Sequence, residues 1–291
     1  MKHEQPQETL MLAGQLKRYS AFTDRPEGGN PAGVWVGETL PTAEQMQQIA
    51  AEVGYSETAF IAPASGARRT VRYYSPEAEV PFCGHATIAS GVALGQREGS
   101  GNYLFSTRAG EVSVQVDEQG QRYTAALTSV EPRSETVSAE VLENALQILG
   151  WQASDLDERI PPRRAYAGAW HLVLAAKDAS RLEQLNYDFD ALKHLMEADG
   201  LTTLQLIWRE SDTVIHSRNP FPVGGVVEDP ATGASAAALG GYLREINALS
   251  AMPAQLTIHQ GVAMGRPSLI TVAVKPTGGI VVSGGAVDIE A

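Results

Sequence analysis

The chain has 291 residues, of which 43% are hydrophobic and 19% charged, a composition that supports a full buried core and excludes a disordered chain. With 34 acidic residues against 22 basic and a formal net charge of -12, it lacks the basic footprint of non-specific nucleic-acid binding. Its single cysteine, Cys83, has no partner for an intramolecular disulfide, and no Cys/His spacing of a structural zinc motif is present.

No stretch reaches the ~20 apolar residues that cross a bilayer, so no membrane partner is expected. The polar start, Met1 to Glu8, lacks the apolar core of a signal peptide, which points to a cytoplasmic protein. Residues 1–13 read as a flexible tail. Alternation predicts a first strand over 15–23, Gly/Pro-rich loop chemistry over 24–31, and a short apolar strand over 32–36. Thr42 reads as an N-cap, with Met46, Ile49, Ala50 and Val53 on one face of a helix over 42–53 that Gly54 ends. Strands are expected over 56–62 and 70–74, then a helix of small and aliphatic residues over 84–95.

Strands over 103–107, 111–116 and 122–128 follow, and 129–134 is the best candidate for a boundary. Residues 139–149 form an amphipathic helix, followed by strands at 165–175, 204–209 and 213–217 and a helix near 188–198. A second small-residue helix over 233–245 precedes strands at 255–259, 268–275 and 279–284. Two helices apolar nearly all round must each be buried on every side. A sheet curled around a central helix, done twice, meets that need. The expected fold class is α+β, with two pseudo-symmetric lobes of mostly antiparallel, barrel-like sheet. The expected division is a first lobe over 14–130, completed by the C-terminal strand 279–291, and a second over 131–278. Regular strand–helix alternation and a G-x-G-x-x-G after the first strand are both absent, which argues against a dinucleotide-binding fold.

The chemistry concentrates at the starts of the two apolar helices. Cys83-Gly84-His85 opens the first, and Glu228-Asp229-Pro230-Ala231-Thr232-Gly233 leads into the second. Exposed N–H groups and the positive dipole end of a helix suit a carboxylate. Cys83 reads as a buried small hydrophobe or as a nucleophile beside a base, and His85 as a polar anchor or an acid/base. Asp229 can be an N-cap or a catalytic carboxylate, and its neighbour Glu228 is equally acidic. Glu57, between Ser56 and Thr58, is a surface carboxylate or a proton donor and acceptor in a dry cleft. Asn30 is a turn residue or a substrate amide contact. Thr232, Gly233, Ala234 and Ser235 offer N–H and hydroxyl donors for a carboxylate.

Gly29-Asn30-Pro31-Ala32-Gly33-Val34, Ser56-Glu57-Thr58-Ala59-Phe60, Pro81-Phe82-Cys83-Gly84-His85-Ala86-Thr87, the Glu228–Gly233 stretch and Gly261-Val262-Ala263-Met264-Gly265-Arg266-Pro267-Ser268 occur in order. Together they resemble the PhzF-like phenazine-biosynthesis isomerase family, whose fold is that of diaminopimelate epimerase and proline racemase. The resemblance implies an active site between two lobes, a homodimer, and no metal, pyridoxal phosphate or nicotinamide cofactor. In the phenazine enzyme a dihydro-hydroxyanthranilate is isomerised by moving a proton between ring carbons. Glu57 inherits the role of acid/base, and His85 and Asp229 those of polarising and positioning the substrate. Gly84, Gly233 and Ala234 inherit the backbone donors for its carboxylate.

Two departures stand out. The family motif ends Asp-Pro-Ala-Thr-Gly-Ser, whereas here Ala234 follows Gly233 and Ser235 comes one place later. The epimerase relatives use two cysteines, one at each helix start, and this chain has only Cys83. The expected function is a cofactor-independent isomerase of a small carboxylated substrate. The alternatives are an epimerase or racemase of an amino or hydroxy acid, and a non-catalytic binding protein.

Overall fold

The computed structural model describes residues 14–289, so the tail expected over 1–13 lies outside it. The first half runs β1 (Gly14–Ala21), β2 (Asn30–Gly37), α1 (Ala43–Val53), β3 (Thr58–Pro63), β4 (Arg68–Tyr74), β5 (Glu79–Val80), α2 (Gly84–Glu98), β6 (Gly101–Thr107), β7 (Gly110–Gln119) and β8 (Arg122–Thr128). The second runs β9 (Arg133–Thr136), α3 (Ala139–Leu149), β10 (Arg163–Tyr166), β11 (Trp170–Ala176), α4 (Ala179–Glu183), α5 (Phe189–Asp199), β12 (Thr203–Arg209), β13 (Val214–Phe221), β14 (Val226–Asp229), α6 (Gly233–Glu245), β15 (Ala254–Gln260), β16 (Ser268–Val274) and β17 (Val281–Asp288).

In the first lobe β1, β2, β3, β4, β6, β7 and β8 pair in that order. Strand β17 pairs with β8 through Val281–Gly285 and with β1 through Ala286–Asp288, which closes the ring. The second lobe repeats the scheme, with β10, β11, β12, β13, β15, β16 and β17 paired in order. Hairpin β4–β5 corresponds to β13–β14, and each precedes a central helix. The parallel pairings also recur at matching places, β2–β3 and β4–β6 in one lobe, β11–β12 and β13–β15 in the other. Each spans a helix, because a helical crossover returns the chain in its starting direction. Regular alternation is absent, as the sequence suggests, yet these crossovers were not foreseen in it.

Helix α2 is buried from His85 through Gly95, and its neighbours are β1, β2, β3, β7, β8 and β17. Small residues are required there. A Cβ on Gly91 would lie 2.6 Å from Ala125 Cβ. Helix α6 is enclosed by β9, β10, β11, β16 and β17, and a Cβ on Gly241 would lie 2.3 Å from Pro132 Cβ. Outer helices cover the other face of each sheet. Met46 and Ala50 of α1 pack with Trp35, Phe60 and Tyr74. Ala145, Leu146 and Leu149 of α3, with Leu192 and Met196 of α5, pack with Leu172, Leu174, Leu204 and Leu206.

The single strand expected over 165–175 is two. Gly168 takes φ +110° and turns β10 back on β11, pairing Tyr166 with Trp170. Conversely, Asn30 and Pro31, expected in a loop, open β2.

Candidate active site

The outer helices carry side-chain caps and the central ones do not. Thr42 accepts from Gln45 N at the start of α1, Ser138 from Val141 N at α3, and Asp188 from Ala191 N at α5. The N-cap residues of α2 and α6, Cys83 and Thr232, make no side-chain capping hydrogen bond. These starts also face each other. A Cβ built on Gly84 would lie 3.9 Å from Ala234 N and 3.9 Å from Gly233 Cα. Two uncapped helix starts across one narrow gap concentrate N–H donors and positive dipole ends, which suits an anionic group between them.

Around that gap the structure gathers most of the residues singled out in the sequence. Glu57 sits on the link between α1 and β3. Gly54 ends α1 in the left-handed conformation at φ 71°, and Gly33 N donates to Glu57 O at 3.2 Å, fixing the link against β2. The Glu57 side chain is 19% exposed, and its Oε2 lies 3.5 Å from His85 Nε2. Ser56 Oγ is 3.4 Å from the same nitrogen. Cys83 Sγ lies 3.4 Å from His85 Nδ1, and the thiol is buried. Burial pushes that thiol well above its ordinary range, and the Glu57 carboxylate adds to the effect. Cys83 is therefore held as a thiol.

Asp229 comes from the second lobe. It is not the N-cap of α6, a role the sequence left open; Thr232 holds that position, because the chain spends Pro230 and Ala231 before the helix begins. Asp229 Oδ2 instead accepts from Thr232 Oγ1 at 2.5 Å, and Oδ1 accepts from Asn30 Nδ2 at 2.9 Å. Burial pushes Asp229 up to about 6, nearby His85 pulls it back, and Glu57 raises it further. Asn30 also donates to Ala231 O at 3.0 Å, so a first-lobe amide spans 199 residues to hold the second-lobe carboxylate. Its turn reading gives way to this bridge.

Glu228, which the sequence does not distinguish from Asp229, points elsewhere. Arg218 donates to it from Nε at 2.9 Å and from Nη2 at 2.6 Å, a bidentate pair that leaves no free oxygen for the gap. Ser235 is fully buried, donates to Thr232 O at 3.0 Å and accepts from Asn219 Nδ2 at 2.8 Å. Its hydroxyl serves the interior of the lobe. Among the residues proposed to hold a carboxylate, Gly84, Gly233 and Ala234 offer backbone and Ser235 does not offer its hydroxyl.

Two supporting residues carried no role in the sequence reading. Gln260, at the end of β15, donates to Asp229 O at 2.8 Å and accepts from Thr232 N at 3.1 Å. Arg266 donates to Gly29 O at 2.8 Å and Gly28 O at 2.7 Å, latching the Asn30 loop across the lobes. Their signal was position: Gln260 stands immediately before the Gly261–Ser268 motif and Arg266 lies within it. Gly261 is obligatory there: at φ +73° its Cβ would lie 2.3 Å from Arg266 O. A hollow of about 610 Å³ bordered by Gln147, Asp188 and His194 lies elsewhere and includes none of these residues.

A family described as "Phenazine biosynthesis-like protein" matches residues 19–290. The uncharacterized isomerase YfhB of Bacillus subtilis is 30% identical over 278 residues, covering 92% of this chain and 93% of the relative. The trans-2,3-dihydro-3-hydroxyanthranilate isomerase of Pseudomonas chlororaphis is 30% identical over 254 residues, covering 86% of each. A Bacillus anthracis protein of the PhzF family superposes with a TM-score of 0.84 at 24% identity, over 94% of this chain and 96% of that one. A hydroxyproline epimerase from Agrobacterium vitis shares the fold with a TM-score of 0.65 at 12% identity, over 94% and 90%.

Proposed function

This chain belongs to the phenazine biosynthesis-like protein family, and from that premise we propose that it is an isomerase moving a proton between carbons of a small carboxylated substrate. One observation carries the reading: Glu57 and His85 of the first lobe meet Asp229 of the second where two uncapped helix starts face each other. The backbone N–H groups of Gly84, Gly233 and Ala234 hold the substrate carboxylate. Glu57, adjacent to the gap, removes a proton from an activated carbon and returns it at another. His85 and Asp229 sit beside it, where they orient the substrate's polar groups and balance the charge that develops. The proton is conserved in the cycle, so the residues alone suffice and no cofactor is invoked.

The supporting residues give that chemistry a fixed geometry. Asn30 and Thr232 occupy both oxygens of Asp229, so the carboxylate keeps one orientation relative to His85. A racemase needs a second base opposite Cys83, and that side presents Ala234, with the Ser235 hydroxyl committed to Thr232 O. We extend the proposal to a cytoplasmic homodimer and to lobe limits of 14–130 with the returning strand, and 131–278. Among the described residues no helix is long and apolar enough to cross a membrane.

The test is proton NMR in deuterated buffer with dihydro-hydroxyanthranilate and a panel of small amino and hydroxy acids. Deuterium wash-in or isomerisation that disappears in Glu57→Gln is expected. Exchange at a substrate α-carbon with inversion would replace this reading with an epimerase. Binding without exchange would replace it with a binding protein.

A further inference from the structure

We propose that Gln260 is a positioning residue that acts through Thr232. By donating to the Thr232 hydroxyl it directs that hydroxyl's proton onto Asp229, which serves as a fixed acceptor and leaves the moving proton to Glu57. The division of labour with Glu57 rests on the isomerase reading; the directed chain of donors stands without it.

Gln260 ends β15 and is 1% exposed. Its oxygen accepts from Thr232 N at 3.1 Å, and its nitrogen donates to Asp229 O at 2.8 Å and to Thr232 Oγ1 at 3.0 Å. A flipped amide would set oxygen against the Asp229 carbonyl and N–H against N–H, so the partners fix which end is which. Both amide hydrogens are engaged, one of them on the hydroxyl. That hydroxyl has a single proton, which the Gln260 nitrogen cannot accept. Asp229 Oδ2, 2.5 Å away, does accept it. Asn30 Nδ2 donates to the other oxygen, Oδ1, at 2.9 Å. Gln260, Thr232 and Asn30 thus all point their donors toward the carboxylate.

A proton placed on Oδ2 and aimed at Thr232 would reverse the last link and strand the hydroxyl proton, because Gln260 presents N–H there. One placed on Oδ1 and aimed at Asn30 would meet N–H. The chain therefore favours the ionised carboxylate. Burial works against it and raises Asp229 to about 6, while the Thr232 and Asn30 bonds pull back down. The titratable groups facing Asp229 from the first lobe are His85, Glu57 and Cys83. On its own strand Glu228 is paired with Arg218 of β13. Strands β2 and β15 face it with the uncharged amides of Asn30 and Gln260. The two carboxylates near His85 are thus held differently: both Asp229 oxygens are tied to protein donors, while Glu57 Oε2 meets His85 Nε2 at 3.5 Å.

The experiment follows the Asp229 carboxyl carbon by NMR from pH 4 to pH 8, in the full chain labelled with carbon-13 at aspartate carboxyls; Asp229→Asn identifies the resonance. Thr232→Val keeps the shape and lacks the hydroxyl. It should raise the titration midpoint by about one to two units, the worth of a hydrogen bond to a charged group. Thr232→Ser keeps the hydroxyl and should restore the parent midpoint. Gln260→Met should also raise it, and should add nothing in a Thr232→Val background. Thermal unfolding confirms that each variant folds, and the Thr232 pair decides the chain if Gln260→Met does not. An unmoved midpoint in Thr232→Val, or an equal shift in Thr232→Ser, overturns the chain. A further shift from Gln260→Met in the Thr232→Val background overturns the role of Gln260. In the deuterium assay, the acid-side limb of the wash-in rate should move up with the midpoint in Thr232→Val; a limb that stays in place overturns the division of labour. If the parent exchanges no compound, the isomerase reading fails and that division with it, while the carbon titration still decides the chain.

Discussion

The two lobes share one topology and differ in what anchors the helix at the centre. In the first, Tyr73 of β4 shares a 2.7 Å hydrogen bond with Thr87, which donates to Cys83 O at 2.7 Å. In the second, Asn219 of the matching strand β13 donates to Ser235, which donates to Thr232 O. Each helix start is therefore tied to its own sheet through a hydroxyl and a strand residue. The second brace is more polar and extends further, through Thr203 Oγ1, which lies 2.8 Å from His171 Nδ1. The first lobe supplies Glu57 and His85, and the second supplies Asp229. The frame is thus repeated, while the polar side chains brought to the gap differ between the lobes.

The comparison breaks most sharply at the residue proposed as acid/base. Glu57→Gln should lower kcat by roughly 10²–10⁴, the usual worth of a positioned general base, with thermal stability nearly unchanged. Enzyme assays beside thermal melts separate the two effects. Residual activity above that range would move the base elsewhere.

Asp229 offers a pH test of the second lobe. Its pKa rises from 3.8 to about 6 on folding, so between those values the folded chain holds a proton that the unfolded chain has released. That contribution stabilises the fold below the lower value and is lost as pH rises through the upper one. At about 1.4 kcal/mol per unit, the parent should lose up to about 3 kcal/mol relative to Asp229→Asn across this window. Urea unfolding at pH 4 and pH 7 measures it, and a pH-independent difference would remove the assigned burial effect.

A third contrast lies in the central helices. A Cβ on Gly91 would meet Ala125 Cβ at 2.6 Å, whereas one on Gly240 would meet Val272 Cγ1 at 3.0 Å. Gly91→Ala should therefore cost about 1–3 kcal/mol through overpacking. Gly240→Ala should be nearly neutral, since helix propensity returns about 1 kcal/mol against a milder contact. Equal costs in denaturant titrations would mean that both sheets yield alike.

The smallest effect concerns the braces. Tyr73→Phe removes one hydrogen bond yet leaves Thr87 its bond to Cys83 O, and should cost about 0.5–1.5 kcal/mol. Asn219→Ala leaves several buried partners unpaired and should cost about 1–3 kcal/mol. Reversal of that order would show the first lobe to be the more tightly braced.

Much of this organisation is legible in the sequence because its causes are local. Apolar residues on every face require a buried helix, so the runs 84–95 and 233–245 announce two enclosed helices, and hence two lobes. The Glu57, His85 and Asp229 motifs are local too, and each occupies the end of an element where local signals placed it. What the sequence leaves open are long-range relations. Glu228 and Asp229 are neighbours of like charge, and only the position of Arg218 sends one into an ion pair and the other into the gap. Asn30 has the same composition as a turn residue until a partner 199 residues away accepts its amide hydrogens. Ser235 looks like a cleft donor until Asn219 and Thr232 O claim it. The closing of the first barrel by β17 is likewise a pairing between chain ends. Periodicity and capping depend on residues a few places apart, so a linear reading recovers them; hydrogen-bond partners and strand neighbours are chosen in space, and only the folded chain decides them.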